Sequence, residues 1–147
     1  EQMAELERRG IEAEIVPGVS SLFAAAAALK TQLTLRGVSE GLVVTRPAGA
    51  TLEEDLIPEL SRLEQTMVVF LGTERMEEVL ARVECPPETP AAVVYHASWP
   101  DQKVIRGTVA DIAAKAREAG IERTALIIIG KAVVGAASGY GRSVLYS

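Results

Sequence analysis

Residues 16–29 read VPGVSSLFAAAAAL, and this stretch decides the fold of the chain around it. The Pro17-Gly18 pair predicts a turn. Ser20 and Ser21 are favourable N-cap residues and alanine is the best helix former, so a buried helix is predicted from Ser21 to Lys30. The small side chains of this helix allow another element of the fold to approach it closely.

Short runs of β-branched and apolar residues along the rest of the chain predict strands. Helical segments separate these runs, an alternation that is typical of an α/β domain. The predicted architecture is therefore α/β, with a mixed, mostly five-stranded sheet flanked by helices. Strands are expected at 42–45, 67–71, 91–95, 102–107 and 124–129, with a further short strand at 11–16.

Three further helices are predicted to begin at an N-capping threonine. Thr51 is followed by two glutamates, whose charges are favourable in a first helical turn. The caps are expected at Thr51, Thr73 and Thr108, for helices that run to about residue 64, to residue 83 and over 109–119.

The composition argues against several classes of protein. The 147 residues, 48 % apolar and 24 % charged, are typical of one soluble globular domain. Cys85 is the only cysteine, which excludes a disulfide scaffold and suits the reducing cytoplasm. A net charge of −5 and an aromatic content of 4 % argue against a nucleic-acid partner. No apolar stretch approaches the ~20 residues of a membrane span, and one histidine with one cysteine makes a metal site unexpected.

Three segments are candidate ligand sites, because ligands of open α/β sheets lie at strand ends and helix starts. They are residues 17–21, 70–73 and 95–99. Arg46 and Arg106 are candidate contacts for an anionic substrate, although a solvated surface arginine is an equally good interpretation of each. His96 is expected to end a strand and meet a backbone group. Trp99 is expected either to stack on a flat ligand or to pack against the sheet edge.

Taken together, these segments resemble the tetrapyrrole (corrin and porphyrin) methylase family over nearly the whole chain. The element at 16–21 with its alanine run is similar to the central motif of the family, and residues 66–71 are similar to its next core strand. A second set resembles the branch that acts on precorrin-4 or cobalt-precorrin-4: residues 90–101 (PAAVVYHASWPD), 106–108, Thr45-Arg46 with Gly49, 123–127 and the tail at 142–146.

The resemblance implies a two-lobed C-methyltransferase of cobalamin biosynthesis that uses S-adenosyl-L-methionine to methylate C(11) of the macrocycle. It also implies a homodimer whose cofactor lies folded between the lobes, and the single cysteine fits a cytoplasmic location. It names no catalytic residue, and direct methyl transfer needs positioning more than acid–base groups. The substrate is fringed with carboxylates, so Arg46 is predicted to bind it. The cofactor contacts of the family carry over to Ser20, Ser21, Leu71, Ala97, Thr124, Ala125 and Leu126.

The chain lacks the glycine-rich first strand and the Gly-Asp-Pro motif of the family's N-terminal lobe. Residues 1–15 are therefore interpreted as the end of the inter-lobe helix and a linker, and residues 16–147 as the C-terminal lobe, expected to fold but to be inactive alone. Two alternatives stay open: another methylase of the family, acting on uroporphyrinogen-III or precorrin-2, and a domain that binds a ligand without chemistry. The net charge of −5 disfavours a third, a relative that methylates ribosomal RNA.

Overall fold

The computed structural model describes residues 1–139 and 141. The tail at 142–146 that entered the family resemblance lies outside these described residues. Five strands form one sheet in the order β1-β2-β5-β3-β4. Strands β1 and β2 pair in parallel, and the other three pairs are antiparallel. The strands are β1 (Leu42–Thr45), β2 (Thr66–Val69), β3 (Pro90–Tyr95), β4 (Lys103–Thr108) and β5 (Ala125–Ile129).

Helices flank this sheet, so the prediction of a mixed five-stranded α/β fold is confirmed. Two further segments are 3-10 helical: Thr73–Arg75, and Lys131–Ser138 with a kink at Gly135. The α-helices are α1 (Gln2–Arg8), α2 (Ser21–Leu29), α3 (Ile57–Ser61), α4 (Met76–Ala81) and α5 (Ile112–Glu118).

Helix α2 begins at Ser21 as predicted, because the Ser20 side chain accepts the Leu22 N–H at 3.4 Å. The helix ends one residue earlier than predicted, where Lys30 adopts a left-handed φ of 54°. Its alanines pack against one face of the sheet, together with residues such as Val68 and Ile128. Successive strand residues point to opposite faces, so their neighbours, such as Met67 and Ile127, contact α3, α4 and α5 on the other side.

The predicted strand at 11–16 is absent from the structure. These residues form no regular element, and Ile15 and Val16 are 69 % and 82 % exposed. The alternating pattern supports a strand only where a neighbouring strand can take up its N–H and C=O groups. The described part of the chain brings no such strand beside this segment.

The predicted helix start at Thr51 is wrong, because the helix begins later, at Ile57, and Asp55 takes the place of Thr51 as the residue that accepts its first N–H. The segment around Thr51 folds into a tight loop closed by hydrogen bonds between Gly49 and Leu52. The Asp55 carboxylate then accepts the N–H of Ile57, the first residue of α3. Pro58 falls in the first turn of α3, where its missing N–H costs nothing, and the helix extends over five residues only.

The other two threonine caps are also wrong. Thr73 uses its hydroxyl to bond the Ala125 carbonyl oxygen of β5, at 2.9 Å, and does not cap a helix. Thr108 remains the last residue of β4, paired with Pro90, and α5 starts only at Ile112. A contact distant in sequence thus engages Thr73, whereas Thr108 ends β4 in a local turn in which its N–H donates to the Asp111 carboxylate at 2.7 Å.

Candidate active site

The strand directions bring four connections to one edge of the sheet. Because β1 and β2 are parallel and β5 is antiparallel to both β2 and β3, the carboxyl ends of β1, β2 and β3 lie beside the amino end of β5. The register confirms this arrangement, with Tyr95 opposite Ala125. Segments 70–73 and 95–99, singled out from the sequence, are therefore neighbours in space.

A cavity of about 450 Å³ opens at this edge, within the ~300–1,000 Å³ range of small-molecule sites. Six of the seven residues predicted to contact a cofactor line it, whereas Ser20 lies behind it as the N-cap of α2. The contact role of all seven stays a prediction. The lining comprises Ser21, Phe70, Leu71, Thr73, Glu74, Val94, His96, Ala97, Trp99, Arg123, Thr124, Ala125 and Leu126.

Three non-glycine residues of the cavity wall have left-handed backbone conformations. Their φ angles are +56° at Leu71, +46° at His96 and +57° at Thr124, which lie on the connections after β2, after β3 and before β5. Such conformations are costly for L-residues and persist where the surrounding structure enforces them, often at functional sites. The left-handed turns end the strands abruptly and direct the chain around the cavity.

Hydrogen bonds across the edge hold these connections together. The Thr73 hydroxyl bonds the Ala125 carbonyl, and the His96 N–H points to the Thr124 carbonyl at 3.4 Å. The Phe70 N–H donates to the carbonyl of Thr45 at 2.9 Å, which joins the ends of β1 and β2. The cavity wall is thus part of the sheet framework and is formed before any ligand enters it.

His96 has a different partner from the one expected from the sequence. Its Nδ1 lies 3.0 and 2.9 Å from the two carboxylate oxygens of Asp101 rather than on a backbone group. The imidazole stacks on Tyr95 with ring centroids 3.7 Å apart and meets Trp99 at 4.5 Å. Trp99 is 59 % exposed and lines the cavity, where its ring contacts His96. The sequence signal for this pair is an aspartate, Asp101, five residues after the histidine. The turn at Trp99-Pro100 brings it back to the imidazole.

The two candidate arginines differ in their surroundings. Arg46 leaves β1 at the same sheet edge but does not line the cavity, and its guanidinium donates to the hydroxyl and carbonyl oxygens of Thr51 at 2.6 and 3.0 Å. Arg106 donates to the carbonyls of Leu29 and Val133, at 2.7 and 2.5 Å. Arg106 therefore ties α2 to the sheet, a structural role.

The cavity is suited to binding and orienting a ligand. Its floor is apolar at Val94, Ala125 and Leu126, and one acidic and one basic residue, Glu74 and Arg123, are exposed at its margin. In the described residues, no three His, Cys, Asp or Glu side chains converge as metal ligands. Within the same residues, no helix is long and apolar enough to cross a bilayer.

The chain belongs to the Tetrapyrrole (Corrin/Porphyrin) Methylases, whose family model matches residues 1–113. It is 48 % identical, over 89 % of its length and 52 % of the relative's, to a cobalt-precorrin-4 C(11)-methyltransferase of Methanocaldococcus jannaschii. It is 44 % identical, over its whole length and 60 % of the relative's, to a precorrin-4 C(11)-methyltransferase of Mycobacterium tuberculosis. The chain thus spans little more than half the length of these relatives.

Two solved structures extend the comparison. A cobalamin biosynthetic enzyme described as a cobalt precorrin-4 methyltransferase superposes with a TM-score of 0.83 at 37 % identity, over 90 % of this chain and 57 % of its own. A uroporphyrin-III C-methyl transferase from Thermus thermophilus, complexed with S-adenosylhomocysteine, superposes with a TM-score of 0.70 at 28 % identity, over 90 % of this chain and 58 % of its own.

Proposed function

We propose that this chain is the C-terminal lobe of an S-adenosyl-L-methionine-dependent methyltransferase that acts at C(11) of precorrin-4 or cobalt-precorrin-4 in cobalamin biosynthesis. The observation that carries the proposal is the cavity, where six residues predicted as cofactor contacts meet at one sheet edge. The identities of 48 % and 44 % to proteins named for this reaction support the substrate class over uroporphyrinogen-III or precorrin-2.

The division into lobes is part of the proposal. Residues 16–147 form the C-terminal lobe, and residues 1–15 are the end of an inter-lobe helix and a linker. Two observations support this division: the chain covers 52 % of a relative's length, and α1 has no buried residue. Ile11, Ile15 and Val16 beyond it are exposed, as expected of apolar residues that contact a further lobe.

The residues of the cavity fit S-adenosyl-L-methionine. The left-handed turns at Leu71 and Thr124 expose backbone groups to a flat, polar nucleoside, and the apolar floor at Val94 and Leu126 excludes water. When bound, the cofactor supplies a methyl group on a sulfonium for transfer to carbon. Ser21, Ala97 and Ala125 leave room for it, because their side chains are small. Holding donor and acceptor in line is the main contribution such a site makes to the rate.

Arg46 is proposed to contact the substrate. It stands beside the cavity at the end of β1, and its bonds to Thr51 fix the guanidinium without using all five of its N–H donors. A guanidinium fork matches the carboxylates at the edge of a corrin precursor. We further propose that the enzyme is a cytoplasmic homodimer. Exposed apolar residues such as Phe23 and Val19 support the dimer, and the single cysteine, Cys85, suits a reducing compartment. Light scattering after size exclusion tests the dimer.

Calorimetric titration with S-adenosylhomocysteine tests the proposed function. The full-length enzyme is expected to bind it and to methylate precorrin-4 or its cobalt form, whereas the chain of residues 1–147 alone lacks activity. Full-length protein that binds the cofactor product but methylates only uroporphyrinogen-III or precorrin-2 would refute the substrate assignment. Absence of any binding to the full-length protein would favour the alternative of a domain without chemistry.

A further inference from the structure

His96 is the one histidine of the sequence, and the cofactor contacts carried over from the family do not include it. Its side chain is 15 % exposed and lies on the cavity wall. Contacts with the rings of Tyr95, at 3.7 Å between centroids, and Trp99, at 4.5 Å, restrict the tilt of the imidazole. The ring is therefore held in one orientation by its neighbours before a ligand arrives.

The Asp101 carboxylate selects which ring nitrogen carries the proton. A carboxylate only accepts hydrogen bonds, so Nδ1 at 2.9 Å must be the donor. In the neutral imidazole, Nε2 is then an acceptor. In the part of the chain that the structure describes, Nε2 has no hydrogen-bond partner and is not sealed from solvent.

We propose that His96 is a positioning residue whose Nε2 accepts a hydrogen bond from a donor on the adenosine part of S-adenosyl-L-methionine, with Asp101 fixing the tautomer. This inference rests on the proposed function. An acceptor nitrogen does not suit the carboxylate fringe of the substrate, which consists of acceptors itself. Adenosine offers suitable donors, an exocyclic amine and two ribose hydroxyls, and its flat base suits a cavity of about 450 Å³ with an exposed indole at Trp99.

The test uses His96→Asn in the full-length enzyme, with affinity for S-adenosylhomocysteine measured by calorimetry. Asparagine tolerates the left-handed φ of +46° at this position and retains an N–H that can reach Asp101, so the variant removes mainly the Nε2 edge. The affinity is expected to fall about threefold to tenfold, the effect of one hydrogen bond. Circular dichroism checks that the variant is folded.

Three analogues separate a hydrogen bond from a loss of packing. They are S-adenosylhomocysteine without the 6-amino group, without the 2′-hydroxyl and without the 3′-hydroxyl. For the analogue that lacks the donor to Nε2, the unsubstituted enzyme and His96→Asn are expected to bind equally. An equal loss of affinity on substitution with all three analogues would overturn the inference, because only packing would then be involved.

Two variants on the same loop complete the test. In Asp101→Asn the amide NH₂ can donate to Nδ1, so Nδ1 no longer has to carry the ring proton. The variant is expected to weaken S-adenosylhomocysteine binding although His96 is still present. Gln102→Ala is the matched control, since the Gln102 Oε1 accepts the Ser98 N–H at 2.8 Å and holds the same loop without touching His96. Loss of affinity in Gln102→Ala equal to that in Asp101→Asn would overturn the inference.

The outcomes also separate the inference from the proposed function. Unsubstituted enzyme that binds S-adenosylhomocysteine with an affinity unchanged in His96→Asn refutes the role of His96 and leaves the function standing. Unsubstituted enzyme that does not bind it refutes both.

Discussion

Asp55 holds the loop that carries Arg46, and replacing it by asparagine is expected to destabilise the fold in a pH-dependent manner. Its side chain is fully buried and accepts four hydrogen bonds. Two come from the Arg82 guanidinium at 2.7 and 2.8 Å, and two from the N–H groups of Ala48 and Ile57 at 2.6 and 3.1 Å. Each carboxylate oxygen thus faces one guanidinium N–H and one backbone N–H.

Asp55→Asn turns one of these oxygens into an NH₂ group that faces two donors. One backbone bond and one charge-assisted bond are lost, which sums to about 2–4.5 kcal/mol from typical values. Arg82 is 44 % exposed and can turn into water, which reduces the loss to about 2–3 kcal/mol at pH 7. Urea unfolding of the chain and of the variant, followed by circular dichroism, measures the difference.

The pH dependence has a definite sign. Burial opposes ionisation of Asp55, but the Arg82 guanidinium and the N–H groups of Ala48 and Ile57 outweigh burial and lower the pKa of the carboxyl below its usual value. The ionised carboxylate therefore stabilises the fold above its unfolded pKa of about 3.9, and this contribution is lost as the pH falls through the lower folded value. The gap between chain and variant should be constant from pH 7 to about 5 and shrink below about 4. A gap under about 0.5 kcal/mol at pH 7, or one that widens in acid, would refute the reasoning.

Three further predictions concern the site. Ala97→Trp fills the cavity with an indole and should weaken S-adenosylhomocysteine binding more than about 100-fold while changing the unfolding free energy by less than about 1 kcal/mol; an unchanged dissociation constant contradicts it. Leu71→Gly relieves a φ of +56° at a residue that is 77 % exposed. Chemical denaturation should therefore show stabilisation by about 0.5–1 kcal/mol, and S-adenosylhomocysteine should bind more weakly. Destabilisation would argue against stored strain. Arg46→Ala should lower kcat/KM for the tetrapyrrole, with a loss of transition-state stabilisation of no more than about 1.5–3 kcal/mol, and should leave cofactor affinity unchanged. Arg106→Ala should mainly lower stability. Normal turnover with reduced cofactor affinity in Arg46→Ala would reassign Arg46 to the cofactor side.

The sequence alone predicts the elements whose stability is mainly local. The alanine run after Ser20 forms α2 because alanine loses little entropy in a helix and the serine side chain accepts the Leu22 N–H. The runs at 42–45 and 125–129 form strands because β-branched residues fit a pleated surface, which is partly buried in the first run and fully buried in the second. Glycine and proline between them also mark the connections, so the candidate ligand segments could be named in advance.

Tertiary structure decides the features that depend on a partner distant in sequence. Thr73 and Thr108 are good caps by local rules, yet the Thr73 hydroxyl bonds the Ala125 carbonyl of β5 and Thr108 stays paired with Pro90 as the last residue of β4. Residues 11–16 alternate like a strand, but no strand within residues 1–139 lies beside them. The meeting of Leu71, Ala97 and Thr124 around one cavity requires the direction of every strand, and no local pattern contains it. Local propensities amount to tenths of a kcal/mol up to about 1 kcal/mol per residue. A buried hydrogen bond or a strand pairing contributes a similar amount, so such a contact decides which local structure a segment adopts.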